Sequence, residues 1–147
     1  MAYAAADHKN GLISSSIMTD GGMRLVARAG LKKWVGLVWR TEIPSDAVQG
    51  DTFTLSVADG DVLSHGFCMN LKIMDSAISM VGQHTAWGSD RSSVFNLPQA
   101  ASFFDFTFFS NTQLEEDVEF FLHPQLERGS VRTCWEPPAI LAGGGAA

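Results

Sequence analysis

Charge is what this sequence has least of. Only 18% of its 147 residues are Asp, Glu, Lys or Arg, against about 25% in an average soluble domain. A domain this poor in charge has little polar surface to offer water, so part of it is expected to be covered by a partner. Cysteine is scarce as well, with Cys68 and Cys134 the two present. Two cysteines cannot make a disulfide framework and neither sits in a Cys-x-x-Cys pair, which favours free thiols over a single bridge. No apolar run reaches the roughly 20 residues of a membrane helix. Met1-Ala2-Tyr3-Ala4 does not lead from a basic region into an apolar core, so no signal peptide is expected. The expectation is a protein made and folded in a reducing cytosol.

Recognisable chemistry is also missing. The four histidines, His8, His65, His84 and His123, are scattered without an HxH or HExxH pairing, so no metal site is expected. Asp59-Gly60-Asp61 has the look of a calcium loop but lacks the rest of one, and it reads as a tight hairpin turn between Val57 and Val62. There is no Gly-x-Ser-x-Gly elbow, phosphate loop or dinucleotide fingerprint. Neither an enzyme nor a cofactor is expected. The net charge of −6 argues against direct nucleic-acid binding, which needs a basic field.

What is present is alternation. In Thr52–Val57, Phe53, Leu55 and Val57 alternate with Thr52, Thr54 and Ser56. In Gly66–Met74, Phe67, Met69, Leu71 and Ile73 alternate with Cys68, Asn70 and Lys72. In Val118–Leu122, Val118, Phe120 and Leu122 point one way, Glu119 and Phe121 the other. Such a period of two puts one row in a core and the other towards water. Ser102–Phe109 repeats the pattern, and Arg24–Arg28, Lys33–Thr41, Ala77–Val81 and Val131–Trp135 do so more weakly. Short turn-forming clusters recur between them. No stretch has helical spacing over three turns, although Asn111–Val118 could make one capped turn. The fold class is therefore all-β, an antiparallel sandwich or barrel, jelly-roll-like, of about eight strands with extended terminal arms. Residues 1–22 read as an N-terminal arm, 23–137 as the β-sandwich domain, and 138–147 as a Gly/Ala-rich tail.

Several segments are candidates for function. Ser102–Phe109 carries Phe104, Phe106 and Phe108 on one face, with Phe103 and Phe109 beside Asp105 and Thr107 on the other. Phenylalanine on both faces requires a strand covered on both sides, or one placed at a subunit contact. Lys33–Arg40 is apolar on both faces too, with Trp34 and Val38 opposite Val35, Leu37 and Trp39. It reads as a covered strand, or as an aromatic platform that stacks bases. Five cations lie between Arg24 and Arg40 without an acid, and four acids between Glu115 and Glu119 without a cation. They make two solvated faces, or a basic patch that packs on an acidic one from copy to copy.

These features favour a structural subunit of a large assembly, a virus or phage capsid decoration or minor capsid protein. Phe103, Phe109, Trp34 and Trp39, with Ile13 and Ile17 anchoring the arm, would form its interface. The expected partners are further copies, as a dimer or trimer, and a major capsid or other lattice protein. It would then reside in the virion, and otherwise in the cytoplasm. The alternative is a soluble ligand-binding sandwich, such as a carbohydrate-binding one, with Trp87 stacking on a sugar and His84 and Asp90 hydrogen-bonding to it.

Overall fold

A computed structural model describes residues 11–86 and 91–136. The described residues form ten antiparallel strands: β1 (Ile13–Ile17), β2 (Met23–Ala27), β3 (Gly36–Glu42), β4 (Thr52–Val57), β5 (Phe67–Met74), β6 (Met80–Ala86), β7 (Ser92–Asn96), β8 (Phe103–Ser110), β9 (Val118–Leu122) and β10 (Pro124–Arg128). They form a four-stranded sheet of order β3-β8-β5-β6 and two three-stranded sheets, β1-β2-β9 and β10-β4-β7. No helix occurs among the described residues, and the Asn111–Val118 turn is not one.

Alternation builds the layers. Leu37 and Trp39 of β3, Met69, Leu71 and Ile73 of β5, and Phe104, Phe106 and Phe108 of β8 are all buried on the inner face of the four-stranded sheet. The two small sheets lie side by side against that face. Phe120 of β9 packs edge-on against Phe67 and Phe108, and Phe53 and Phe95 of the other small sheet pack edge-on against Phe104. Buried aromatic pairs of this geometry add about 0.5–1.5 kcal/mol each beyond their area. The central position of β8 pairs both its edges and its inward phenylalanines are buried, while Phe103 and Phe109 stay half-buried on the other face.

Several expectations change. Ile13–Ile17, read as part of an arm, is β1, paired with β2 from Ile13↔Ala27 to Ile17↔Met23. Ile13 is a core residue and not an interface anchor, because its position in the register turns it inward. Trp39 is 3% exposed and equally unavailable to a partner. Val131–Trp135 is not a strand; the segment crosses over β4 and β10, where Thr54 Oγ1 donates to Gly129 O and Trp135 Nε1 to Pro124 O. The turn at Ala58–Asp61 is real, but β4 and β5 lie in different sheets, so it joins no hairpin. The basic and acidic segments meet within one chain, Arg24 with Glu119 at 2.5 Å and Arg28 with Asp117 at 3.2 Å, which removes the basis for head-to-tail packing by these charges.

The two small sheets are joined through one residue. His123 stands between β9 and β10, where the chain leaves one sheet for the other. Its Nδ1 lies 2.7 Å from Asp61 Oδ1 and its Nε2 2.8 Å from Asp20 Oδ2, while its backbone N–H donates to Asp61 Oδ2. Gly22 lets the ring approach, since a Cβ there would lie 2.6 Å from it. Burial opposes the charge on His123, but the hydrogen bonds to Asp61 and Asp20 outweigh it and raise the pKa above 6.5. The Gly22 amide and His123 hold Asp20 below its ordinary 3.8.

Two predictions follow from these contacts. Gly36→Ala would put a Cβ 1.8 Å from the Phe108 carbonyl oxygen; backbone on both sides leaves nothing to yield, and a loss of about 3 kcal/mol is expected by urea denaturation. Gly60→Ala, which meets nothing within 4 Å, is expected to stay within about 0.5 kcal/mol of the parent. The His123 clamp contributes fully below the ring's unfolded pKa and is lost as pH rises through the raised folded value. Asp20 contributes above its unfolded pKa and is lost as pH falls through the lowered one. The urea midpoint should therefore fall as pH rises from the ring's ordinary 6.5 through its raised folded value, and His123→Gln should flatten that fall.

Candidate ligand-binding face

The outward side of the four-stranded sheet is a grid. Directly opposed residues in antiparallel strands share a face, so the register sets its rows. The first row is Gly36, Phe109 and Cys68; the second is Val38, Thr107, Asn70 and Thr85. The third is Arg40, Asp105, Lys72 and Gln83, and the fourth Glu42, Phe103, Met74 and Met80.

The middle rows are polar and internally ordered. Asn70 is fully buried. Its Nδ2 donates to Thr107 Oγ1 at 3.2 Å, and its Oδ1 accepts from Gln83 Nε2 at 3.0 Å and Thr85 Oγ1 at 2.8 Å. Arg40 grips Asp105 with two parallel hydrogen bonds, Nε to Oδ1 at 2.9 Å and Nη2 to Oδ2 at 3.0 Å, the bidentate geometry that fixes both groups. This pairing raises the Arg40 pKa.

Aromatic rings stand at both ends. At one end the Arg40 guanidinium lies 4.0 Å above the ring of half-buried Phe103. At the other, Trp34 meets half-buried Phe109 edge-on at 5.5 Å. Trp34 is 59% exposed and has a φ of 66°, a left-handed conformation uncommon outside glycine. Its N–H donates to Ser110 O, tying it to the end of β8. Cys68 lies beneath this end, its thiol pushed up to about 12 by burial.

The structure thus brings together three of the six residues expected at an interface, Trp34, Phe103 and Phe109. Ile17 is exposed but belongs to the small sheet, away from them. The reading of Lys33–Arg40 as a base-stacking platform loses Trp39, which is buried, and of its two tryptophans keeps only Trp34 exposed. His84 is on the inner face in the row of Trp39, Phe106 and Leu71. Its ring stacks on Phe95 at 4.4 Å, and burial lowers its pKa. It is a packing residue and not a ligand donor on the outward face. Trp87 and Asp90 lie outside the described residues. Sequence reasoning missed Asn70, Lys72 and Gln83; the signal for the first two was the phase of β5, which sends polar residues outward at alternate positions, and Gln83 joins them only through the pairing of β6 with β5.

A groove of about 330 Å³ lies on the other layer, lined by residues that include Ser56, Asp59, His123, Arg132 and Trp135. Its polar groups largely serve each other. Arg132 pairs with Asp59 at 2.9 Å and donates to Val57 O, and His123 is held by its two carboxylates. Trp135 closes edge-on over the His123 ring at 4.7 Å. The groove is the outer wall of the strand corner.

No protein-family model and no curated protein matches the chain. Solved structures resemble it in fold. One is a chain in the crystal structure of accessory secretory proteins 1, 2 and 3 of Streptococcus pneumoniae, with a TM-score of 0.58 and 13% identity over 81% of this chain and 87% of that one. Another is in the glycosylation-associated Gap123 complex of Streptococcus agalactiae, with a TM-score of 0.53 and 13% identity over 79% of this chain and 39% of that longer one. A CBM4 structure is more distant, with a TM-score of 0.48 and 14% identity over 76% of this chain and 86% of that one. At such identities the likeness is one of fold alone: a β-sandwich.

Asn70→Ala tests the ordering of the grid. It would strip partners from Thr107, Gln83 and Thr85 at the sheet surface. A loss of about 1–3 kcal/mol is expected by urea denaturation.

Proposed function

We propose that this chain is a non-catalytic binding module and that the outward face of its four-stranded sheet takes a carbohydrate. One observation carries the reading: two pre-ordered rows of amide, hydroxyl and guanidinium groups, held on strands and not on loops, lie between two aromatic ends. Sugars present hydroxyls around an apolar ring face, so a site for them needs fixed hydrogen-bonding groups beside exposed aromatic surface. The hydrogen bonds among Asn70, Thr107, Gln83 and Thr85, with the Arg40–Asp105 pair, fix the polar part before any ligand arrives. Groups already ordered lose less entropy on binding.

A second reading is a docking surface for a protein. Exposed Trp34, Ile78 and Met80 favour it, and chains of similar fold come from the Gap123 complex and from a structure holding accessory secretory proteins 1, 2 and 3. The capsid reading leaned on apolar strand surface left uncovered, and it loses much of that support with Trp39 and Ile13 in the core.

The two readings separate on one measurement. Titration calorimetry against soluble oligosaccharides is expected to show saturable binding, and Phe103→Ala and Trp34→Ala should each weaken it about thirtyfold, the loss of one aromatic anchor of about 2 kcal/mol. No heat with any oligosaccharide, together with a discrete oligomer by light scattering that Trp34→Ala dissolves, would instead support protein docking.

A further inference from the structure

We infer that the ligand of this face is an acidic glycan, a sugar chain bearing carboxylate or sulfate, with Lys72 as the residue that reads its charge. The inference rests on the carbohydrate reading above and deepens it.

The third row holds two cations and one acid, with Asp105 between Arg40 on β3 and Lys72 on β5. Both carboxylate oxygens of Asp105 go to Arg40. Lys72 therefore stands opposite an acid already committed to another cation. It forms no ion pair among the described residues. The other acids of the neighbourhood do not serve it. Glu42 sits at the corner on edge strand β3, with β8 between it and Lys72. Asp75, at the end of β5, accepts from the Ala77 and Ser79 amides.

Lys72 is half-buried on the sheet, and its ammonium carries three donors. Gln83 is its exposed neighbour on β6, with one amide hydrogen on Asn70. Together they present donors to an anion from adjacent strands, roughly 5 Å apart. A cation without a counter-ion, set among hydrogen-bonding groups in a protein of net charge −6, is the element of the face that a neutral sugar would leave unused. An anionic sugar supplies the missing charge and gains a charge-assisted hydrogen bond.

The test compares hexagalacturonate, a heparin oligosaccharide and neutral cellohexaose on the full chain by titration calorimetry. At least one anionic chain is expected to bind about tenfold tighter than cellohexaose at low salt, with the advantage shrinking as salt rises. The two anions tell carboxylate from sulfate. Lys72→Gln should remove the anionic chain's advantage over cellohexaose with thermal melting unchanged, and Lys72→Arg should keep it. Equal or better binding of cellohexaose by the parent, or an advantage that survives in Lys72→Gln, would overturn the inference and leave the carbohydrate reading standing. Binding of none of the three glycans would overturn both.

Discussion

The sandwich depends on one strand's phenylalanines reaching in two directions along its length. Phe104 meets Phe53 and Phe95 from one small sheet, and Phe108 meets Phe120 from the other. Strand β8 is thereby the common floor for both halves of the opposite layer. It is also interior to its own sheet, bonded to β3 and β5. Once β8 is placed, its alternation commits Phe103, Asp105, Thr107 and Phe109 to the outward side. The polar grid is therefore the far side of the core's own geometry.

That coupling explains how much could be read in advance. Strands β4 and β9 are legible to the residue: Phe53-Leu55-Val57 alternate with Thr and Ser, and Val118-Phe120-Leu122 keep the same period although outward Phe121 blurs it. Strand β1 is not, since Ser14-Ser15-Ser16 carries little apolar signal and pairing with β2 supplies what propensity does not. Strands β7 and β10 are missed for similar reasons: one is Ser-Ser-Val-Phe-Asn, and the other opens on a proline that local pattern assigns to a turn. Strand propensity is weak information wherever the register is set by a distant partner.

The site was legible by parts. The sequence shows that Phe103 and Phe109 share a face with Asp105 and Thr107. It cannot show that Asn70 and Gln83 lie across from them, because Asn70 is 37 positions from its partner Thr107 and the pairing of β5 with β8 is a tertiary fact. The same blindness explains Trp39 and Ile13. Each is apolar, but burial is a property of what lies opposite, and only the fold supplies that.

The strand corner at His123 has a mechanical corollary. Two sheets that share no ladder are continuous in the chain there through a single residue. The ring is wedged against Gly22 and braced by carboxylates from the β1–β2 turn and the β4–β5 connection. Pulling the halves of that layer apart must break three remote attachments at one point. The seam is thus a spot weld, and if the layer ever parts, it parts there as one event and not by gradual peeling.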